Sequence, residues 1–528
     1  MKILTAAEMR EVDRLSTERG GVPSLTLMEN AGKSVAEFIT ARFPQFADVP
    51  IVVFCGKGNN GGDGFVVARY LQKMGASVSV HLFANPADLR GDAAKNFKRL
   101  KSVEVVSVED AESWQKPVWN VSTGPGPILI DALLGTGIRG PVTGLLRMAI
   151  DHLNQRPSLF TLFSVDIPSG LDSDTGEVHG AAVHADYTVT FTAPKTGMFQ
   201  GEAPNYIGSL IVRDIGSQPE IIEETGKGSL RWSEPREFAP FASRRRAEGH
   251  KGDYGHVLIV AGSVGKSGAA VLSSWAALRC GAGLVTAAVP APVLPIVATH
   301  TPEIMTEPLA ATPGGGISLI DLENGRFDAI RSGKRALSIG PGLGTQEETQ
   351  RFIRKVVGNR SVPVILDADG LNAFDGYAKD LTRDEGRLAI TPHPGEMARL
   401  LDATVKEVQA RRIDIATAAA TEWNAIVILK GHHTIVAAPD GRAWLNSTGN
   451  PGMATGGTGD VLTGVLGSLT AQYGVGDWWR TLAFGVWLHG LAGDVAAADY
   501  GEAPLMASDL IRALPRALQK FHSELERV

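Results

Sequence analysis

The stretch Pro50–Phe83, PIVVFCGKGNNGGDGFVVARYLQKMGASVSVHLF, decides the fold. It opens with an unbroken apolar run, as expected of a strand buried on both faces. It then turns through glycines, continues with apolar residues at helical spacing, and ends in a second apolar run. The same order returns at His256–Val289, HVLIVAGSVGKSGAAVLSSWAALRCGAGLVTAAV. Two such units predict two parallel α/β domains, each with helices on both faces of a sheet. Shorter runs ending in glycine or acid support this: ILIDALLGTG and LFSVDIPSG in the first half, ALSIGPGLG, PVILDADG and AIVILKG in the second. In open α/β sheets such strand ends line the ligand crevice. The polar stretch between Ile215 and His250 reads as the linker, which gives domains 1–225 and 226–528. The basic cluster Arg244 to Arg246 reads as its solvated part.

With 528 residues, 44% hydrophobic and 20% charged, and a net charge of -6, the chain has an ordinary globular composition. Bulk charge does not point to nucleic acid. No uninterrupted apolar run suggests a bilayer crossing, and MKILTAAEMREVDR does not resemble a signal peptide, so the expectation is a cytoplasmic protein. The only cysteines, Cys55 and Cys280, fall in different domains and read as core residues.

In the first half, GKGNNG (Gly56–Gly61) matches the dinucleotide fingerprint between a strand and a helix. The acid that would hold a ribose is missing, because SVHLFANPADL closes its apolar run without one and Asp88 follows in a loop. A tight turn explains the glycines but not the clustered Asn59, Asn60 and Asp63. Asp63, Asp131 and Asp166 read as acids converging on one sheet edge, where a buried carboxylate must cap a helix or serve a ligand. Amides, carboxylates and a hydroxyl such as Ser169 are hard oxygen donors, suited to an alkali or alkaline-earth cation rather than zinc.

GKGNNGGDGFVVARYL, DALLGTGIRGPVTG and VDIPSGLDSDTG closely resemble the NAD(P)H-hydrate epimerases, which are Rossmann-like, over most of residues 1 to about 220. The resemblance implies that Asn59, Asn60, Gly61, Gly62 and Asp63 hold a hydrated nicotinamide nucleotide. It assigns the same task to Gly135, Thr136, Gly137, Ile138, Arg139, Gly140 and Pro141. It makes Asn60, Asp131 and Ser169 ligands of a potassium ion. Asp166 becomes a substrate contact and the acid-base residue that inverts the hydroxylated ring carbon.

In the second half, AGSVGKS only approaches a phosphate-binding P-loop, because Val260 stands where the pattern needs glycine. Lys266 then reads as a solvated lysine. A stronger anion site is NPGMATGGTGDVLTGVLGSL, Asn450–Leu469, whose glycines let N–H groups crowd a phosphate before a helix that starts near Asp460. Asp460 there could take a proton from a hydroxyl attacking a terminal phosphate. Capping the helix is its plainer alternative. His432 and His433, neighbours after a strand, point to opposite faces if extended and make no metal pair.

Gly459 and Asp460 match the anion-hole loop of ribokinase-like kinases. HKGDYGHVLIVAG, GPGLG, DADGLN, TPHPGEMARL and LKGHHTIVAAPDG together resemble the ADP- or ATP-dependent NAD(P)H-hydrate dehydratases over roughly residues 230 to 525. That resemblance implies nucleotide binding by Lys430, Gly431, His432, His433 and Thr434. It adds Asn450, Pro451, Gly452, Met453, Ala454, Thr455, Gly456, Gly457, Thr458 and Gly459 to the nucleotide site. It gives the hydrated cofactor to Ala269, Gly344, His393, Pro394, Gly395, Glu396, Met397, Ala398, Arg399 and Asp460, with Asp460 catalytic. Both resemblances converge on one substrate, and so imply a bifunctional repair enzyme using K⁺, Mg²⁺ and ADP or ATP. ADP is the expected donor because fused chains of this type resemble bacterial enzymes, and a homo-oligomer is the family expectation. A vitamin or sugar kinase in the second half, and a binding module without turnover in the first, remain open.

Overall fold

β-Branched residues, frequent in runs such as IVVFC, YTVTF and IVIL, favour the extended backbone of these strands. The computed structural model describes residues 1–112, 114, 126–382 and 387–526 and divides into two units, Met1–Gly228 and Ser229–Val528.

The first unit carries β1 (Ile51–Cys55), β2 (Val78–Leu82), β3 (Glu104–Ser107), β4 (Ile128–Ala132), β5 (Thr161–Val165), β6 (Tyr187–Phe191) and β7 (Ser209–Arg213). They form one parallel sheet in the order β3-β2-β1-β4-β5-β6-β7. Because side chains alternate, Ile51, Val53 and Cys55 enter one core with helices Ser24–Arg42 and Asn59–Lys73. Val52 and Phe54 enter the other with helix Gly144–Asn154. The chain turns to opposite sides of the sheet at β1 and β4, so the topological switch point lies beyond their carboxyl ends.

The second unit carries β8 (Leu230–Trp232), β9 (His256–Val260), β10 (Leu284–Pro290), β11 (Met305–Leu309), β12 (Ala336–Ile339), β13 (Val364–Leu366), β14 (Leu388–Ile390), β15 (Ile426–Leu429), β16 (Ile435–Ala437) and β17 (Ala443–Leu445). Their order is β11-β10-β9-β12-β13-β14-β15-β16-β17-β8, parallel except around β16. Leu258 and Val260 face one core and Val257 and Ile259 the other, so helices again cover both faces.

One expectation is corrected. The stretch read as linker is folded: Pro219–Thr225 is a helix and Leu230–Trp232 is the edge strand β8. Arg244 to Arg246 are exposed, as expected. One helix, Trp478–Tyr500, is long and apolar enough to cross a bilayer, but 83% of its apolar window is buried inside the unit. Arg480, His489 and Asp494, with Gly485, Gly490 and Gly493, interrupt it as an apolar run. Its tryptophans pack the core beside the helices Thr458–Tyr473 and Ala507–Leu525.

Candidate functional site

At the first switch point Asp131, fully buried near the end of β4, accepts hydrogen bonds from Ser164 Oγ (2.8 Å), Ser169 N (2.9 Å), Ser169 Oγ (2.5 Å) and Leu133 N (3.2 Å). Burial pushes its carboxyl up, and these bonds only partly offset the push. Ser169 Oγ also accepts from Leu134 N at 2.8 Å, while Asn60 Nδ2 donates to the Leu134 carbonyl at 2.7 Å. Asn60 is buried, and its Oδ1 has no hydrogen-bond partner among the described residues. Asn60 and Ser169 thus meet at the Leu134 carbonyl, and Ser169 joins them to Asp131, with one acceptor left over. An orphaned buried acceptor beside a buried carboxylate is what a bare cation would satisfy.

Above this group lies a cavity of about 1200 Å³ lined by Asn59, Asn60, Asp63, Gly135 to Ile138 and Asp166, together with Asp13, Asp88 and Lys195. Gly61 and Gly62 lie in the helix wall, and Arg139, Gly140 and Pro141 do not line the cavity. Asp63 does not end a strand; it stands one turn into helix Asn59–Lys73. Asp88 closes a short 3₁₀ turn. Asp166 follows β5 with φ 66, a left-handed conformation that costs a non-glycine residue about 1–3 kcal/mol. Its Oδ1 accepts from Thr190 Oγ1 at 3.2 Å and from the buried Lys195 Nζ. Burial first, then the charge of Asp166, pushes Asp63 well above the carboxylate range; burial brings Asp13 up to about 6. Sequence reasoning missed Asp13 and Lys195. Asp13 lies on a distant helix with no local signal, whereas Lys195, set among apolar residues after β6, was a signal left unread.

In the second unit Asp367 directly follows β13, fully buried, and accepts from Lys430 Nζ at 2.8 Å and Thr463 Oγ1 at 2.6 Å. Burial opposes its ionisation, but Lys430 and Thr463 outweigh burial and hold it below the usual range. Lys430 also lies 3.8 Å from Glu396. A Cβ on Gly459 would stand 3.5 Å from Lys430 Nζ, so the glycine loop lies directly over this pair. The helix begins at Thr458 after left-handed Gly457; Asp460 is its third residue, so it is not the cap. Burial and then the charge of Asp367 push Asp460 up to about 7, within reach of a general base.

The loop is tied down from behind. Asn450 Nδ2 donates to Asp494 at 2.9 Å, and His489 Nε2 donates to the Thr458 carbonyl at 2.9 Å. Burial lowers His489 to about 4, so it acts as a neutral donor. Lys266 is not merely solvated: it pairs with Asp369 at 3.0 Å, and the same carboxylate oxygen accepts from Gly344 N at 2.8 Å. Ala269 faces Gly342 of the same loop. His393 Nδ1 accepts from Gly395 N and Glu396 N as a helix cap, so that nitrogen carries no proton. Met397 and Ala398 sit in the hydrophobic core, leaving His393 and Arg399 as the exposed members of that segment. His433 is left-handed (φ 49) rather than extended, which lays its ring against His432 with centroids 3.8 Å apart. The strand-end rule applied to the first half would have found Asp367.

Residues 24–197 match the family described as YjeF-related protein N-terminus, and residues 257–516 the family described as NAD(P)H-hydrate dehydratase. A Moorella thermoacetica protein named bifunctional NAD(P)H-hydrate repair enzyme Nnr is 42% identical over 538 residues, covering 100% of this chain and 98% of that one. The protein of that name in Escherichia coli K12 is 32% identical over 527 residues, covering 98% and 95%. Among solved structures, a Bacillus subtilis ADP/ATP-dependent NAD(P)H-hydrate dehydratase co-crystallised with ATP and Mg²⁺ is 33% identical. It covers 53% of this chain and 94% of that one, with a TM-score of 0.45.

Proposed function

The chain belongs to the family of bifunctional NAD(P)H-hydrate repair enzymes, and on that premise we propose how its two units divide the work. The first, Rossmann-like unit interconverts the R and S epimers of hydrated NADH and NADPH. The second, ribokinase-like unit dehydrates the S epimer at the expense of ADP, or of ATP. Hydration of the ring leaves a hydroxyl that departs poorly, since water has a pKa of about 15.7. A phosphate ester, with a second pKa of about 6, departs readily. Asp460 takes the hydroxyl proton, the oxygen bonds to the terminal phosphorus, and the shortened nucleotide leaves. The carbon–oxygen bond then breaks with loss of a proton from the adjacent carbon, releasing phosphate and restoring the double bond.

The arrangement of Asp460 beside Gly459, above the Lys430–Asp367 pair, carries this reading. Lys430 to Thr434 and Asn450 to Gly459 hold the nucleotide, and Ala269, Gly344, His393 and Arg399 border the hydrated cofactor. Asp367, Asp369, Glu396 and Asp460 are four carboxyls around two ammonium groups, Lys266 and Lys430. That excess of hard oxygen donors would suit Mg²⁺ arriving with the phosphates, and the ion would supply positive charge against the negative charge developing on the transferred group. In the first unit Asn60, Asp131 and Ser169 would hold a potassium ion, which answers the orphaned Asn60 Oδ1, and Asp166 serves as acid-base residue. The cytoplasm is the proposed location.

The test uses separated R and S NADH hydrates with Mg²⁺, K⁺ and either nucleotide, followed by nicotinamide absorbance. Recovery of S with one donor, and of R only while Asp166 is intact, is expected; a stable phosphorylated product without NADH would overturn the dehydratase reading. Asp166→Asn should leave recovery of S unchanged.

A further inference from the structure

Lys195 has no role in the chemistry above, yet it is 1% exposed and stands where three carboxyls meet. Asp13 comes from helix Ala6–Glu18, Asp63 from helix Asn59–Lys73 and Asp166 from the end of β5; Arg10 and Arg14 reach the same cavity from the helix that carries Asp13. A buried ammonium group survives only with its charge and donors satisfied. Here Nζ bonds Asp166 Oδ1 and also donates to Thr190 Oγ1 at 2.6 Å, while Thr190 Oγ1 reaches the same Oδ1 at 3.2 Å. Both bonds to Asp166 end on Oδ1, so Oδ2 is the oxygen left to the cavity. Thr192, next to this ring of contacts, shares the left-handed backbone of Asp166 (φ 65), and both strained residues flank the clamp.

We propose that Lys195 is a positioning residue for the epimerisation: with Thr190 it clamps one oxygen of Asp166, places its ammonium charge among Asp166, Asp13 and Asp63, and turns the other oxygen of Asp166 to the substrate. The inference rests on the epimerase reading. Without Lys195, three close carboxyls would stand together with no buried ammonium group among them, and the cluster as a whole would hold its protons to higher pH. The backbone of Lys195 also pairs with Leu4, so a purely structural role is the rival account.

The experiment measures kcat/KM for R-to-S conversion against pH in the full-length protein, above the spontaneous rate, for Lys195→Met and Lys195→Arg. Lys195→Met should lose about 100-fold at pH 7, with its acidic limb moved up by about one to two pH units. Lys195→Arg should restore the limb. Dehydration of the S epimer, carried by the other unit, should be untouched in both. A folded Lys195→Met with its limb at the wild-type pH overturns the inference. If that variant fails to fold, Thr190→Val decides: the limb should rise by a fraction of a unit, and an unmoved limb overturns the inference. Wild-type protein that fails to convert R at all refutes the epimerase reading instead.

Discussion

At Asp460 catalysis and stability pull in opposite directions. Burial raises the folded pKa from 3.8 to about 7, so the favourable, protonated form is fully present below the unfolded value and is lost as pH rises through 7. Asp460→Asn should therefore melt higher than wild type at pH 8, with the difference vanishing near pH 4, as scanning calorimetry would read. The same variant should lose about 10³-fold or more of the dehydration rate and keep R–S interconversion. Wild-type dehydration, limited by ionised Asp460, should rise with pH through about 7 when nucleotide is subsaturating. These carboxyls differ in how far the sequence exposed them. Asp131, Asp166 and Asp460 follow apolar runs or glycines and could be read as site residues. Asp13 joins the first site only through the packing of its helix, which no local pattern encodes.

Strand ends and helix starts hold both sites, and the backbone there leaves little room for change. Helix Asn59–Lys73 begins so close to β1 that a Cβ on Gly61 would fall inside contact distance of the Gly56 carbonyl oxygen. Gly61→Ala should displace Asn60 and abolish epimerisation, while S dehydration persists; chromatographic separation of the two epimers measures the first and absorbance the second. Here the sequence was plain, because a strand buried on both faces and a glycine-dense turn each leave a strong pattern. It was silent for β8, where Leu230–Trp232 is too short for any period to show and its place depends on a partner more than 200 residues away. It misled at His433, whose left-handed backbone no alternation rule anticipates.

In the molecule as a whole, each unit has its own sheet and its own cores. ADP with Mg²⁺ binds only the second under this reading, and ligand binding stabilises only the state that binds it. Thermal unfolding should therefore show two transitions, of which nucleotide raises one; a rise in both by equal amounts would refute independent units. The edge strand β8 bears on how such a chain could be divided. A coding sequence split between Lys227 and Leu230 leaves β8 attached to its sheet, and both products inherit complete sheets. A split after Trp232 strips β8 from β17 and leaves the backbone edge of that strand open to pairing with other chains. Natural fission into two genes, like any deliberate dissection, should therefore fall ahead of β8.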